Sequence, residues 1–151
     1  MTGASKSVRL GETNASNLGL ILLTIANIVL YVVAAVLHLG VSIPLGFATL
    51  DVPEPIPPAV AVEAIIAVGL ATSVVGMFRG HNSQRLTRAA YIVALIGTVF
   101  GLTIALVRGL RGLDIWIHLV MLAGLAGGFV LLRKQQLRGT TSGERSARGI
   151  R

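Results

Sequence analysis

Cysteine is absent from this 151-residue chain, which excludes disulfides, thiolate metal sites and cysteine nucleophiles together. Charge is also scarce. Asp, Glu, Lys and Arg make up 13% of the residues, about half the ~25% of a typical soluble domain. Hydrophobic residues reach 54%, a balance that excludes an aqueous core under a charged skin. No phosphate-cradling glycine loop and no HExxH pair is present. Ser42 and Ser73 have no His and Asp at a spacing that supports hydrolytic or transferase chemistry. The sequence thus leans away from an enzyme.

What is present is four long apolar runs, at 18–39, 58–78, 89–107 and 114–132. Each is about 20 residues, the length at which a helix rising 1.5 Å per residue crosses a hydrocarbon core of about 30 Å. The first run exceeds the apolar stretch of a signal peptide and has no small-residue cleavage site before a polar chain, so it reads as a retained span. The expected fold is an all-α integral membrane protein, an antiparallel four-helix transmembrane bundle. Residues 1–17 form a cytoplasmic N-terminal segment, 18–134 the bundle, and 135–151 a basic tail without apolar periodicity, expected to be disordered.

The net charge of +7 is distributed in a way that points to lipid and away from nucleic acid. Lys6 and Arg9 precede the first span, Arg79, Arg85 and Arg88 lie between the second and third, and the rest of this set falls at 133–151. The other two connections hold Asp51, Glu54, Arg108 and Arg111. By the positive-inside rule both termini and the central loop face the cytoplasm, and the basic segments suit an anionic inner leaflet. An arginine-rich basic set with abundant Ala, Gly and Val suggests a GC-rich bacterial coding bias, and with the spans a bacterial inner membrane. The outer connection at 40–57 is proline-rich, with Pro53, Pro55, Pro57 and Pro58 imposing an extended approach to the second span and a preformed first helical turn. It reads either as a stiff cap across the bundle or as a gate or partner-docking loop.

Small residues spaced four apart let helix backbones approach closely, and in lipid apolar burial alone does not drive association. Gly97 with Gly101, Gly124 with Gly128, and Gly69 with Ser73 have this spacing. They suit internal packing or a subunit interface, and a chain this small suits a homo-oligomer or a larger membrane complex.

Ionisable groups inside spans are costly and mark functional sites. His38 ends the first span, Glu63 lies in AVAVEAIIAV of the second, and Asp114 and His118 open the fourth. All four fall toward the outer face, within about 6–10 Å in depth at 1.5 Å per residue. Glu63 requires a partner, with His38, His118, Arg108 and Arg111 as candidates. Asp114 also suits a helix N-cap, and His118, one turn on, suits an i,i+4 bond to it. Thr24, Asn27, Tyr31 and His38 share a face of the first span, which is expected to turn inward and to meet Thr98 and Thr103. Three functions follow. The first is a non-enzymatic accessory subunit or ligand-binding bundle using Glu63, His38, His118, Asp114, Tyr31 and Asn27. The second is a proton- or metal-coupled transporter or channel in which Glu63, His38 and His118 hold a proton or a single metal ion. The third is a haem-b anchor with His38 and His118 as axial ligands.

Overall fold

The structure is a computed structural model that describes residues 5–47, 49–50, 55–79, 83–109 and 112–148, with side chains only between 17 and 136. Asp51, Glu54, His81 and Arg111 lie outside the described residues. Among those described there are four helices: α1 (Ser5–His38), α2 (Pro57–Arg79), α3 (Ser83–Val107) and α4 (Leu113–Arg148). Each contains a segment long and apolar enough to cross a membrane: Asn17–His38, Pro57–Arg79, Gln84–Val107 and Leu113–Gln136.

Helix ends follow local chemistry. α1 stops where Gly40 takes a positive φ of 82°. Its N–H then donates to Leu37 O at 2.8 Å and the Val41 N–H to Val36 O at 3.3 Å, the paired closure that a left-handed residue past a helix end permits. A β-carbon at Gly40 would also meet the Pro55 ring at 3.0 Å. α2 starts on Pro57 and Pro58, whose missing N–H groups are unneeded in a first turn, and Ile56 O accepts the Ala59 N–H at 2.9 Å. The Ile56 N–H in turn donates to His38 O at 2.8 Å, which ties the start of α2 to the end of α1. Between them, β1 (Ile43–Pro44) and β2 (Thr49–Leu50) pair antiparallel, Ile43 opposite Leu50. The outer connection thus opens with a short hairpin, with Phe47 90% exposed at its tip, and of the stretch expected to be extended Pro53 lies outside the described residues.

α1 packs on α2, α2 on α3, α3 on α4, and α4 back on α1. Directions alternate, because the end of α1 and the starts of α2 and α4 meet at one end of the bundle, here the hairpin end. The helices also run beyond the apolar spans. α1 begins at Ser5, inside the polar segment at 1–17, and α4 stays helical to Arg148, past Gln135 where an irregular tail was expected. Helix-favouring Arg, Lys, Gln and Leu follow the fourth apolar run and continue its backbone pattern.

The outside of the bundle is apolar: Ile65, Val68, Ile96 and Phe100 are each more than 60% exposed. Much of the polar material is inside. Thr24, Asn27, Ser73, Thr87 and Thr98 are buried, as are His38, Glu63 and His118. That inversion suits lipid, where apolar side chains can face outward freely and polar groups turn inward to find partners.

The small residues are sockets within the bundle. A β-carbon at Gly97 would meet Ile66 Cδ1 of α2 at 2.6 Å, and one at Gly101 would meet His118 Nε2 of α4 at 2.6 Å. On α4, Gly124 receives Asn27 of α1 and Gly128 the ring of Tyr91 of α3. Each glycine pair thus serves two different neighbours, one above the other. Gly69 differs: nothing lies within 4 Å of its β-position, and of that pair only Ser73 is buried, its hydroxyl donating to Leu70 O at 2.7 Å.

Candidate functional site: a His–carboxylate chain beside a cavity

The four ionisable groups noted in the sequence are joined at the hairpin end. His38 Nδ1 lies 2.9 Å from Glu63 Oε1 and 3.0 Å from Oε2. Its Nε2 lies 3.4 Å from Asp114 Oδ1. The same Oδ1 is 3.3 Å from His118 Nδ1, which also donates to the Asp114 carbonyl oxygen at 2.8 Å. The result is a chain, Glu63–His38–Asp114–His118, that links α2, α1 and α4. His38 is 3% exposed, and Glu63 and His118 are 6% exposed.

Position along each helix produces this meeting. His38 is the last residue of α1, held by its side chain and by its carbonyl bond to Ile56. Glu63 lies two turns into α2, on the face that also buries Ile66, Leu70 and Ser73. Asp114 is not the N-cap that its place suggested. It is the second residue of α4, Gly112 O accepts the Trp116 N–H, and its carboxylate turns to the two imidazoles. Hydrogen bonds from the two buried imidazoles hold it more strongly than solvated backbone N–H groups at a helix end.

Both ring nitrogens of His38 face carboxylate oxygens. Either the ring carries both N–H hydrogens or one of the carboxyls holds a shared proton. Neither nitrogen is left for a metal or a haem iron. Among the described residues no three His, Asp or Glu side chains form a group able to hold a metal ion. His38, Glu63 and His118 therefore do not form the expected metal set, and His38 and His118 do not fit as haem-b ligands. The geometric reason is Asp114, which occupies the space between the two imidazoles.

Beside the chain is a cavity of about 320 Å³. His38, Glu63, Asp114 and His118 form its polar wall, Tyr31 and Thr98 its floor, and Val62, Ile66, Phe100, Ile104 and Met121 its apolar sides. Residues 55–58 cover it at the hairpin end and Arg108 borders it. Arg108 was a candidate partner of Glu63, but the carboxylate is taken by His38.

Below the cavity the polar face of α1 is matched by α3. The Tyr31 hydroxyl meets Thr98 Oγ1 and donates to Ala94 O at 3.1 Å. Thr24 Oγ1 lies 2.7 Å from Tyr91 Oη. Asn27 donates to Leu23 O at 2.9 Å, while its Oδ1, buried against Gly124, has no partner among the described residues. Thr103, the other expected partner, instead donates to Val99 O on an exposed face. Tyr91 and Thr87 had not been singled out in the sequence. The signal was available: Thr87, Tyr91, Ala94 and Thr98 recur at i, i+4, i+7 and i+11, the stripe that meets α1.

No protein family, curated protein or solved structure matches the chain.

Proposed function

We propose that this chain is a non-enzymatic multi-pass membrane protein that binds a small ligand in the hairpin-end cavity, alone or as an accessory subunit of a larger membrane complex. The observation that carries this reading is the cavity itself. Apolar walls with a few converging polar groups are the usual form of a small-molecule site. Ionisable residues retained within spans at a cost of several kcal/mol mark function in membrane proteins. Native mass spectrometry of the protein released in mild detergent tests it. A bound mass that disappears in Val62→Trp, which fills the cavity's border, is the expected result. Bare protein, or an adduct indifferent to Val62→Trp, sinks the reading. Protein subunits released with it identify the accessory role.

The charge distribution supports insertion in a bacterial inner membrane with both termini cytoplasmic and the hairpin outside. The basic segments would rest on the anionic inner leaflet. Absence of cysteine makes single-cysteine labelling free of background. A membrane-impermeant maleimide added to intact cells is expected to label Ser42→Cys and to spare Gln84→Cys. The reverse pattern inverts the topology.

A second reading, a proton-coupled transporter using Glu63, His38 and His118, is favoured by one observation. Unpartnered Asn27 Oδ1 and Thr87 Oγ1 lie along the same polar seam as the Tyr91–Thr24 and Tyr31–Thr98 pairs. Buried polar atoms without protein partners are where internal water binds.

A further inference from the structure

We propose that the cavity takes a neutral, membrane-soluble molecule with an apolar body and a hydrogen-bond-donating hydroxyl, and that this hydroxyl donates to His118 Nε2. The proposal rests on the ligand-binding reading above and adds the ligand's chemical class.

The electrostatics of the site come first. Glu63 is matched by His38, and Asp114 lies between His38 and His118. With His118 neutral the cluster carries one net negative charge, its oxygens engaged by the two imidazoles, and the other charged group on the cavity among the described residues, Arg108, stands exposed at its border. An anion would be repelled by that charge, and a cation would have to displace His38 or His118 from the carboxylates besides losing its hydration, which is a large cost. A neutral ligand avoids that cost.

The second observation is the orientation of His118. Its Nδ1 must carry hydrogen, because it donates to a carbonyl oxygen, Asp114 O, at 2.8 Å. The Asp114 carboxylate at 3.3 Å holds the ring in the same sense. In the neutral ring this makes Nε2 the acceptor. No protein donor reaches Nε2 among the described residues. It sits over Gly101, and both residues line the cavity. A β-carbon at position 101 would lie 2.6 Å from Nε2, so glycine is what leaves that nitrogen its place at the cavity wall. His38 has no equivalent free nitrogen, which singles out His118.

The third observation is access. Val62 of α2 and Phe100 of α3 line the cavity and are 43% and 63% exposed on the apolar outside of the bundle, whereas residues 55–58 cover the hairpin end. An opening between α2 and α3 at these two residues would admit molecules already dissolved in the bilayer.

The test uses the full chain in nanodiscs, with ¹⁵N-labelled histidine and two probes differing only in the donor, 4-octylphenol and its methyl ether 4-octylanisole. Saturable binding above that of empty nanodiscs is expected for the phenol, and binding about tenfold weaker for the ether, the size of one hydrogen bond in a dry site. The His118 Nε2 resonance is expected to move with the phenol only. His118→Leu should level the two affinities, and His118→Gln, which keeps an acceptor, should restore part of the preference. Should the His118 variants fail to fold, the wild-type resonance and the phenol/ether ratio decide alone. Equal affinities that are both lost in Val62→Trp overturn the donor assignment and leave the cavity reading standing. Failure of either probe to saturate, or binding untouched by Val62→Trp, overturns both.

Discussion

Glu63→Ala is expected to lower the unfolding free energy of the bundle in detergent by about 3–5 kcal/mol, the range for removing one partner of a buried ion pair. The carboxylate is buried and makes both of its oxygens available to His38 Nδ1. Alanine would leave that imidazole with an unmatched nitrogen at the buried junction of α1 and α2. Unfolding followed by far-UV circular dichroism in increasing SDS measures the loss. A double variant, His38→Leu with Glu63→Leu, is expected to lose less than the sum of the two single changes, because apolar replacement of a whole pair can be close to neutral. Asp114 would keep His118 in that variant. Glu63→Gln separates structure from transport. A structural clamp makes it destabilising, whereas a proton-carrying carboxylate makes it stable but inactive in proton flux. Wild-type stability and wild-type flux together would remove Glu63 from both accounts.

Gly128→Ala is expected to cost about 2–3 kcal/mol, toward the upper part of the usual range for overpacking a filled interior, while its neighbour Gly127→Ala is neutral or slightly stabilising. Both changes gain the same helix propensity, so the difference between them isolates packing. At Gly128 the new carbon would fall on the Tyr91 ring. That ring has little freedom to withdraw, being fully buried with its hydroxyl 2.7 Å from Thr24 Oγ1. At Gly127 the new carbon meets only Leu23 Cδ2, at an ordinary 3.5 Å. Thermal unfolding of the two variants in one detergent measures the contrast. Equal midpoints would mean that α4 is not seated on Tyr91 as described.

The membrane-scale features were legible because they depend on sums over many residues. Four runs of about 20 apolar residues appear as four helices with ends within a few residues of the expected ones, except at the two termini and at the start of α3, which begins six residues early at Ser83. There polar residues continue the helices beyond the apolar spans. The inward stripe of α1 was legible for a similar reason: in Thr24, Asn27, Tyr31 and His38 the helical period alone puts polar groups on one side, and an apolar exterior leaves them one place to go. The glycine pairs could be noticed but not assigned, since spacing is the same for a socket as for an idle position. Gly69 meets nothing and Gly128 holds a tyrosine.

By itself, then, the sequence determined a four-helix, membrane-compatible chain whose ionisable residues gather near one end, since length, hydropathy and charge are additive along a chain. The pairing within that cluster was decided only in three dimensions. Whether Glu63 meets a histidine or an arginine, whether Asp114 caps a helix or separates two imidazoles, and whether His118 keeps a nitrogen toward the cavity depend on differences of about an ångström between side chains on separate helices. Those are set by helix rotation and by what each glycine admits, and neither is written in the local order of residues.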